Sequence, residues 1–295
     1  MRRAALAALA LAGLGTLVAG CGSSSGVQQQ TIQKALQFQI ADLKPSGPIT
    51  PGKPTTLSFK ILQPQNGKLV TMTKFKTGSG PHTGVHLIIV RRDLGVIIHR
   101  HPPIGPDGTF KQTVVFPTPG PYKMLLDVYP PVDPNAIGAQ TNFQLTPRHD
   151  LTVAGTYKPQ PLPAPATAAD VSGYHFTIAK VDPSPLKAIQ PSFMTITVTD
   201  PHGKPVAFTP WYGALAHAIF FQKGTLNYFH THVCSPGVGG CTSVFASKKI
   251  TGSSATPGRM NVGVLLPLPG TWRLFLQLQA GGKILTAPFT LNVGG

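Results

Sequence analysis

His86-Leu-Ile-Ile-Val-Arg-Arg-Asp-Leu-Gly-Val-Ile-Ile-His99-Arg-His101 and His217-Ala-Ile-Phe-Phe-Gln-Lys-Gly-Thr-Leu-Asn-Tyr-Phe-His230-Thr-His232 follow one pattern, H-x12-H-x-H. Each has two runs rich in β-branched and aromatic residues around a short turn, which reads as a β-hairpin. In the first, a two-residue loop at Asp93-Leu94 pairs Arg92 with Gly95 and sets His86 opposite His101. In the second, a loop at Gly224-Thr225 pairs Lys223 with Leu226 and sets His217 opposite His232. His99 and His230 lie two positions before their neighbours on the same strand, and so on the same face. Each hairpin is therefore expected to gather three imidazoles on one side, with opposed Cβ atoms roughly 4.5–5.5 Å apart.

The repetition continues outward. Phe116-Pro-Thr-Pro-Gly120-Pro-Tyr-Lys-Met-Leu-Leu-Asp127 follows the first hairpin, and Leu266-Pro-Leu-Pro-Gly270-Thr-Trp-Arg-Leu-Phe-Leu-Gln277 follows the second. Upstream, Thr50-Pro-Gly-Lys-Pro-Thr-Thr-Leu-Ser-Phe-Lys-Ile-Leu62 resembles Ile189-Gln-Pro-Ser-Phe-Met-Thr-Ile-Thr-Val-Thr199, both alternating with the period of a half-buried strand. Three histidines, a P-x-P-G turn and an aromatic strand recurring in one order imply a duplicated domain. The chain has no Glu, 32 Gly and 31 Pro among 295 residues, a composition hostile to long helices. Roughly seven strand candidates per half, separated by Gly and Pro turns, is the count of an immunoglobulin-like sandwich. The expected fold is all-β, with one sandwich over residues 36–148 and a second over 171–295. A Pro-rich linker over 149–170 joins them, semi-rigid through its alternate prolines.

These halves resemble a family of exported bacterial proteins and lipoproteins with tandem immunoglobulin-like domains. Its hairpins read H-L-x-V-V-R-x-D-L…H-x-H-P, followed by D-G-x-(F/W) and F-P-x-P-G-x-Y. Here the first copy has His86-Leu-Ile-Ile-Val-Arg-Arg-Asp-Leu94, His99-Arg-His101-Pro102, Asp107-Gly-Thr-Phe110 and Phe116-Pro-Thr-Pro-Gly-Pro-Tyr122. The second copy keeps the histidines, has Val233-Cys234 where Pro is expected, and inserts a cysteine loop before the next strand. The resemblance covers most of residues 36–295 and implies fold and exported location. Some relatives are associated with heavy-metal handling.

The amino terminus agrees with export. Arg2 and Arg3 precede an uncharged apolar stretch, Ala4 to Val18, with the proportions of a signal peptide over residues 1–20. Leu17-Val18-Ala19-Gly20-Cys21 resembles the lipobox of bacterial lipoproteins, which implies a diacylglycerol on the Cys21 thiol and a flexible tether over 21–35. Such a chain is expected at the cell membrane, lipid-anchored on the extracytoplasmic face. The other two cysteines, Cys234 and Cys241, read as a local disulfide in an exported domain. The formal charge of +16 is thinly spread, without the clustered stripe of a nucleic-acid binder. It suits anionic headgroups or an anionic wall polymer, with an envelope protein as another partner.

His86, His99 and His101, and His217, His230 and His232, supply two candidate sites for copper or zinc, since neutral imidazole suits these borderline metals. The competing reading is structural. The second hairpin's histidine face also carries Ile219, Phe221, Leu226 and Tyr228, so it is expected to look into its own sandwich. There the histidines would be packed core-edge residues of a surface interaction module. No G-x-S-x-G, H-E-x-x-H or phosphate-loop motif is present, and no catalytic residue is expected.

Overall fold

The computed structural model describes residues 37–78, 80–131, 142–234, 243–245, 248–250 and 252–295. The described chain is all-β and contains no helix. Leu36–Gly295 forms one compact unit. The first half holds β1 (Gln39–Lys44), β2 (Pro54–Gln65), β3 (Lys68–Thr71), β4 (Val85–Arg91), β5 (Ile97–Arg100), β6 (Phe110–Val115), β7 (Gly120–Val128), β8 (Phe143–Leu145) and β9 (Leu151–Val153). In one sheet the long β2 pairs with β1, β3 and β6, and in the other β5-β4-β7-β8 run side by side with β9 also on β7. The two sheets close over Leu57, Phe59 and Ile61 on one side and Leu87, Ile89, Met124 and Leu126 on the other.

The second half holds β10 (Ala168–Val171), β11 (Tyr174–Asp182), β12 (Ser192–Thr199), β13 (Ala216–Gln222), β14 (Tyr228–Cys234), β15 (Ser243–Phe245), β16 (Lys248–Ile250), β17 (Gly252–Thr256), β18 (Arg259–Val264), β19 (Gly270–Ala280) and β20 (Lys283–Val293). The order β10-β11-β12-β18-β17-β14-β13-β19-β20 makes one continuous sheet wrapped around its core, with β15-β16 a separate ribbon. The joint is β17, antiparallel to β18 and parallel to β14. Gly252 permits it, because a Cβ there would lie 2.8 Å from the His232 carbonyl oxygen and 2.7 Å from that of Asn261. The repeated P-x-P-G turn has an equally local cause. Gly120 and Gly270 begin β7 and β19 at φ +128° and +124°, a backbone that L side chains rarely adopt.

The sandwiches meet through a third apolar cluster. Ile88, Val90, Leu94 and Leu125 of the first pack against Ile219, Phe221, Leu226 and Phe275 of the second. This is why β4 and β13 are buried along their whole length. Alternate residues fill each sandwich's own core, and those between fill the docking face. Strands covered on both faces read as unbroken apolar runs.

The connection is shorter than the sequence implies. β9 pairs with β7 and β10 with β11, so the strand-free stretch runs over 154–167. It adheres to the body, with Leu162 against the docking cluster and the Gln160 amide donating to Asp93 Oδ2 at 2.9 Å.

Phe221 tests this face. It is fully buried between the sandwiches and lies outside both sandwich cores. Phe221→Ala is expected to lower the unfolding free energy by about 3–5 kcal/mol in urea titration. A midpoint that does not move would show that this face does not hold the halves together.

Candidate metal centre

Register decides where the imidazoles go. In the second hairpin His217 lies opposite His232 and Ile219 opposite His230. In the first, Ile88 lies opposite His99 and Leu87 opposite Arg100, so the next step sets His86 across from His101. Both registers match the sequence expectation, but the loops are longer than the expected two residues: the Arg91 amide bonds the Val96 carbonyl and the Gln222 amide bonds the Asn227 carbonyl, so four residues turn in each hairpin. Leu94 and Leu226 take left-handed backbone in the two turns, at φ 62° and 56°, and bury their side chains in the docking face.

The direction of the histidine face differs from expectation. Ala216, Ala218 and Phe220 fill the second sandwich, while His217, Ile219 and Phe221 alternate with them and face the first sandwich. The apolar residues beside the histidines belong to a docking surface. As a result the two expected clusters merge into one, shared by both halves.

Within it, the rings of His86 and His101 stack with centroids 4.1 Å apart. Across the interface His99 lies 4.9 Å from His217 and 5.4 Å from His230, and His86 lies 5.4 Å from His230. Three sets bring one ligand nitrogen from each member within 4.8 Å of the others: His86/His99/His101, His86/His230/His232 and His99/His217/His230. The first is the triad expected from sequence. The second expected triad is divided instead, with His230 and His232 joining His86, and His217 and His230 joining His99. His82 stands beside the cluster, its ring 4.7 Å from His232 and its Nδ1 3.1 Å from the Tyr129 hydroxyl. On another side Tyr212 stacks on His101 at 3.9 Å, and Trp211 lies edge-on to His99.

The halves face each other as the protomers of a twofold dimer do. Two polar residues follow that symmetry and were not singled out from sequence. Asp127 lies opposite His86 on β7, and Gln277 opposite His217 on β19. Each reaches across the interface. Gln277 Oε1 is 3.1 Å from His99 Nδ1, and Asp127 Oδ2 is 3.7 Å from His230 Nδ1, too long for a hydrogen bond. Asp127 Oδ2 accepts the Tyr228 hydroxyl at 3.2 Å. The signal was their shared place at the end of the repeated aromatic strand.

Burial governs the electrostatics. It holds His86, His99, His217 and His232 well below the usual imidazole range, with neighbouring histidines adding to the effect. Burial lowers His101 to about 3 and His82 to about 4, again with His230 contributing. Neutral rings carry free lone pairs. His86 Nδ1 and Nε2, His99 Nε2, His101 Nε2, His230 Nδ1, and His232 Nδ1 and Nε2 are all buried without a hydrogen-bond partner, as is His82 Nε2. Buried polar atoms normally have partners.

The other expected site residues lie elsewhere. Cys234, at the end of β14, is disulfide-bonded, and its expected partner Cys241 lies outside the described residues. Cys21, the signal peptide and the tether lie outside them as well. Among the described residues no helix is long and apolar enough to cross a membrane.

Several solved structures align with most of the chain at low similarity. A bacterial integrin-binding protein, invasin, aligns over 88% of this chain and 39% of its own, at 12% identity and a TM-score of 0.23. A tetra-tandem repeat from the extending region of a large adhesion protein aligns over 88% and 49%, at 12% identity and 0.25. Domains 4 and 5 of the S-layer protein SbsC align over 88% and 98%, at 13% identity and 0.19. The chain thus spans less than half the length of the first two, and at these scores the likeness carries no argument. No curated protein matches the sequence. Residues 169–295, the second sandwich, match the family model described as a domain of unknown function, DUF8832.

Proposed function

We propose that the chain is a lipid-anchored extracytoplasmic protein that binds a copper or zinc ion in the histidine centre between its sandwiches. The observation that carries the metal reading is the gathering of unpartnered, buried imidazole nitrogens in two overlapping triads, His86/His99/His101 and His86/His230/His232; in the third, His217 is already bonded to His230 Nε2 and to the Trp211 carbonyl. Neutral nitrogen donors without thiolate suit zinc and copper(II) over magnesium or calcium. Zn–N bonds of about 2.0–2.1 Å set tetrahedral nitrogens roughly 3.3 Å apart. Donors that lie within 4.8 Å of one another would have to close to that spacing around an ion. Gln277 would act as an outer partner that orients His99, leaving His99 Nε2 for the ion.

Any two of the triads share a histidine. A full set at one therefore depletes the others, and one firmly held ion per chain is expected in place of one per sandwich. We read the centre as a binding site and propose no enzymatic role. The lipid anchor rests on the sequence Leu17 to Cys21.

Calorimetric titration of the metal-free chain from residue 22 onward, with Zn²⁺ and Cu²⁺, tests the reading. Uptake of one ion per chain is expected. Heats indistinguishable from dilution for both ions would reject it in favour of packed interface histidines.

A further inference from the structure

The interface holds a second polar site at its other end. From His86 to Arg91 and on into the turn, β4 runs away from the histidines, roughly 20 Å at about 3.3 Å per residue. There a cleft of about 220 Å³ opens between the halves. Arg92, Lys123 and Arg148 line it, with one carboxylate, Asp150, which accepts a hydrogen bond from Arg92 Nε. From the second sandwich come Thr225 and Leu226, in the β13–β14 turn.

Lys123 is the informative residue. It lies opposite Val90 on the docking face, half-buried, and its Nζ donates to the Leu226 carbonyl at 3.2 Å. Burial, and then the nearby Arg92 charge, lower its pKa, partly opposed by Asp150. The repeat places Arg273 at the equivalent position. That cation is buried, bonded to Thr290 Oγ1 at 2.8 Å and placed over the Phe275 ring. Lys123 faces a cleft instead. Three cations line the cleft against one carboxylate, which is paired with Arg92, so Lys123 and Arg148 leave a net positive charge there.

We propose that this cleft binds a phosphate group, held by Lys123, Arg92 and Arg148. The group is a free phosphate or the phosphate of an anionic lipid headgroup or wall polymer. This gives a location to the contact that the +16 charge otherwise leaves diffuse. It is independent of the metal reading.

The test uses the metal-free chain from residue 22 onward and inorganic phosphate, followed by ³¹P line broadening. A parallel arm uses sedimentation with phosphatidylglycerol or phosphatidylcholine vesicles. Saturable phosphate binding is expected to fall about tenfold or more in Lys123→Gln, as the loss of a charged hydrogen bond implies. A decrease is also expected in Arg148→Gln, whose exposed side chain can change without disturbing the docking face. Lys283→Gln, an exposed lysine away from the cleft, removes the same charge and should change nothing. If phosphatidylglycerol vesicles bind and millimolar phosphate releases them, a headgroup enters the cleft. If phosphate binds and vesicles do not, the ligand is a free or polymeric phosphate. Equal losses in Lys283→Gln and the cleft variants, or no saturable phosphate binding, would overturn the assignment.

Discussion

Replacing His86 and His230 together with alanine is expected to abolish metal uptake. Every candidate triad contains at least one of the two. The loss should exceed the roughly 10–100-fold that removal of an outer-shell partner causes. The contrast with His99→Ala/His101→Ala is diagnostic. Two independent sites, one per hairpin, would leave that second double variant with one ion of two. The merged centre leaves it with His86, His230 and His232 intact, so it should retain an ion at reduced affinity. Calorimetry on both variants separates these cases, and full uptake by the His86/His230 variant would refute the ligand assignment. A second signature has the opposite sign. His86 is fully buried with both ring nitrogens unpartnered. Such atoms carry a desolvation penalty of about 1–3 kcal/mol each. In the metal-free protein His86→Leu should therefore raise the urea midpoint while it weakens metal binding. Residues that serve packing alone do not behave in this way.

Much of this centre is legible in the sequence, because hairpin register is a local property. Counting outward from Asp93-Leu94 and Gly224-Thr225 set His217 across from His232, and the structure pairs them. The recurring P-x-P-G turn was legible too, and Gly120 and Gly270 take the same left-handed backbone at the start of β7 and β19. The direction of the histidine face was not. Ile219 and Phe221 lie between Ala218, Phe220 and Gln222, and period-two patterning fails when both faces are covered. An apolar stripe says that something buries it without saying what. That ambiguity divided one centre into two. Asp127 and Gln277 escaped notice for a related reason. Their role depends on a cross-interface approach at sequence separations of 103 and 178 residues, which local pattern does not encode. The joining strand β17 follows the inserted cysteine loop, which has no counterpart in the first half to be read against.

Acid should open the metal-free protein, and the sign follows from the histidines. Unfolded imidazoles titrate near about 6.5. His82, His86, His99, His101, His217 and His232 are all held below that value in the folded chain, chiefly by burial. Between the folded and unfolded values the unfolded state holds more protons, so the unfolding free energy rises with pH and falls on acidification. The stabilisation is complete above about pH 6.5 and is lost progressively below it. Each such histidine contributes a slope of about 1.4 kcal/mol per pH unit. Six acting together set a ceiling of about 8 kcal/mol per unit, comparable with the roughly 5–15 kcal/mol that holds a domain folded. The docking face should therefore part before either sandwich core does, since the protons are needed there. Urea midpoints measured from pH 7 to pH 5 are expected to fall steeply. The slope should be shallower in His86→Leu/His230→Leu, which removes one of the depressed groups and relieves the others of its neighbours. Bound zinc should move the whole transition to lower pH, because metal and proton compete for the same lone pairs. Asp93, Asp107 and Asp200 do not mimic this fall, since they are held below the ordinary carboxylate range and titrate only at greater acidity. A midpoint that stays level down to pH 5 would mean that the imidazoles take up protons as readily folded as unfolded. A buried neutral cluster is incompatible with that result.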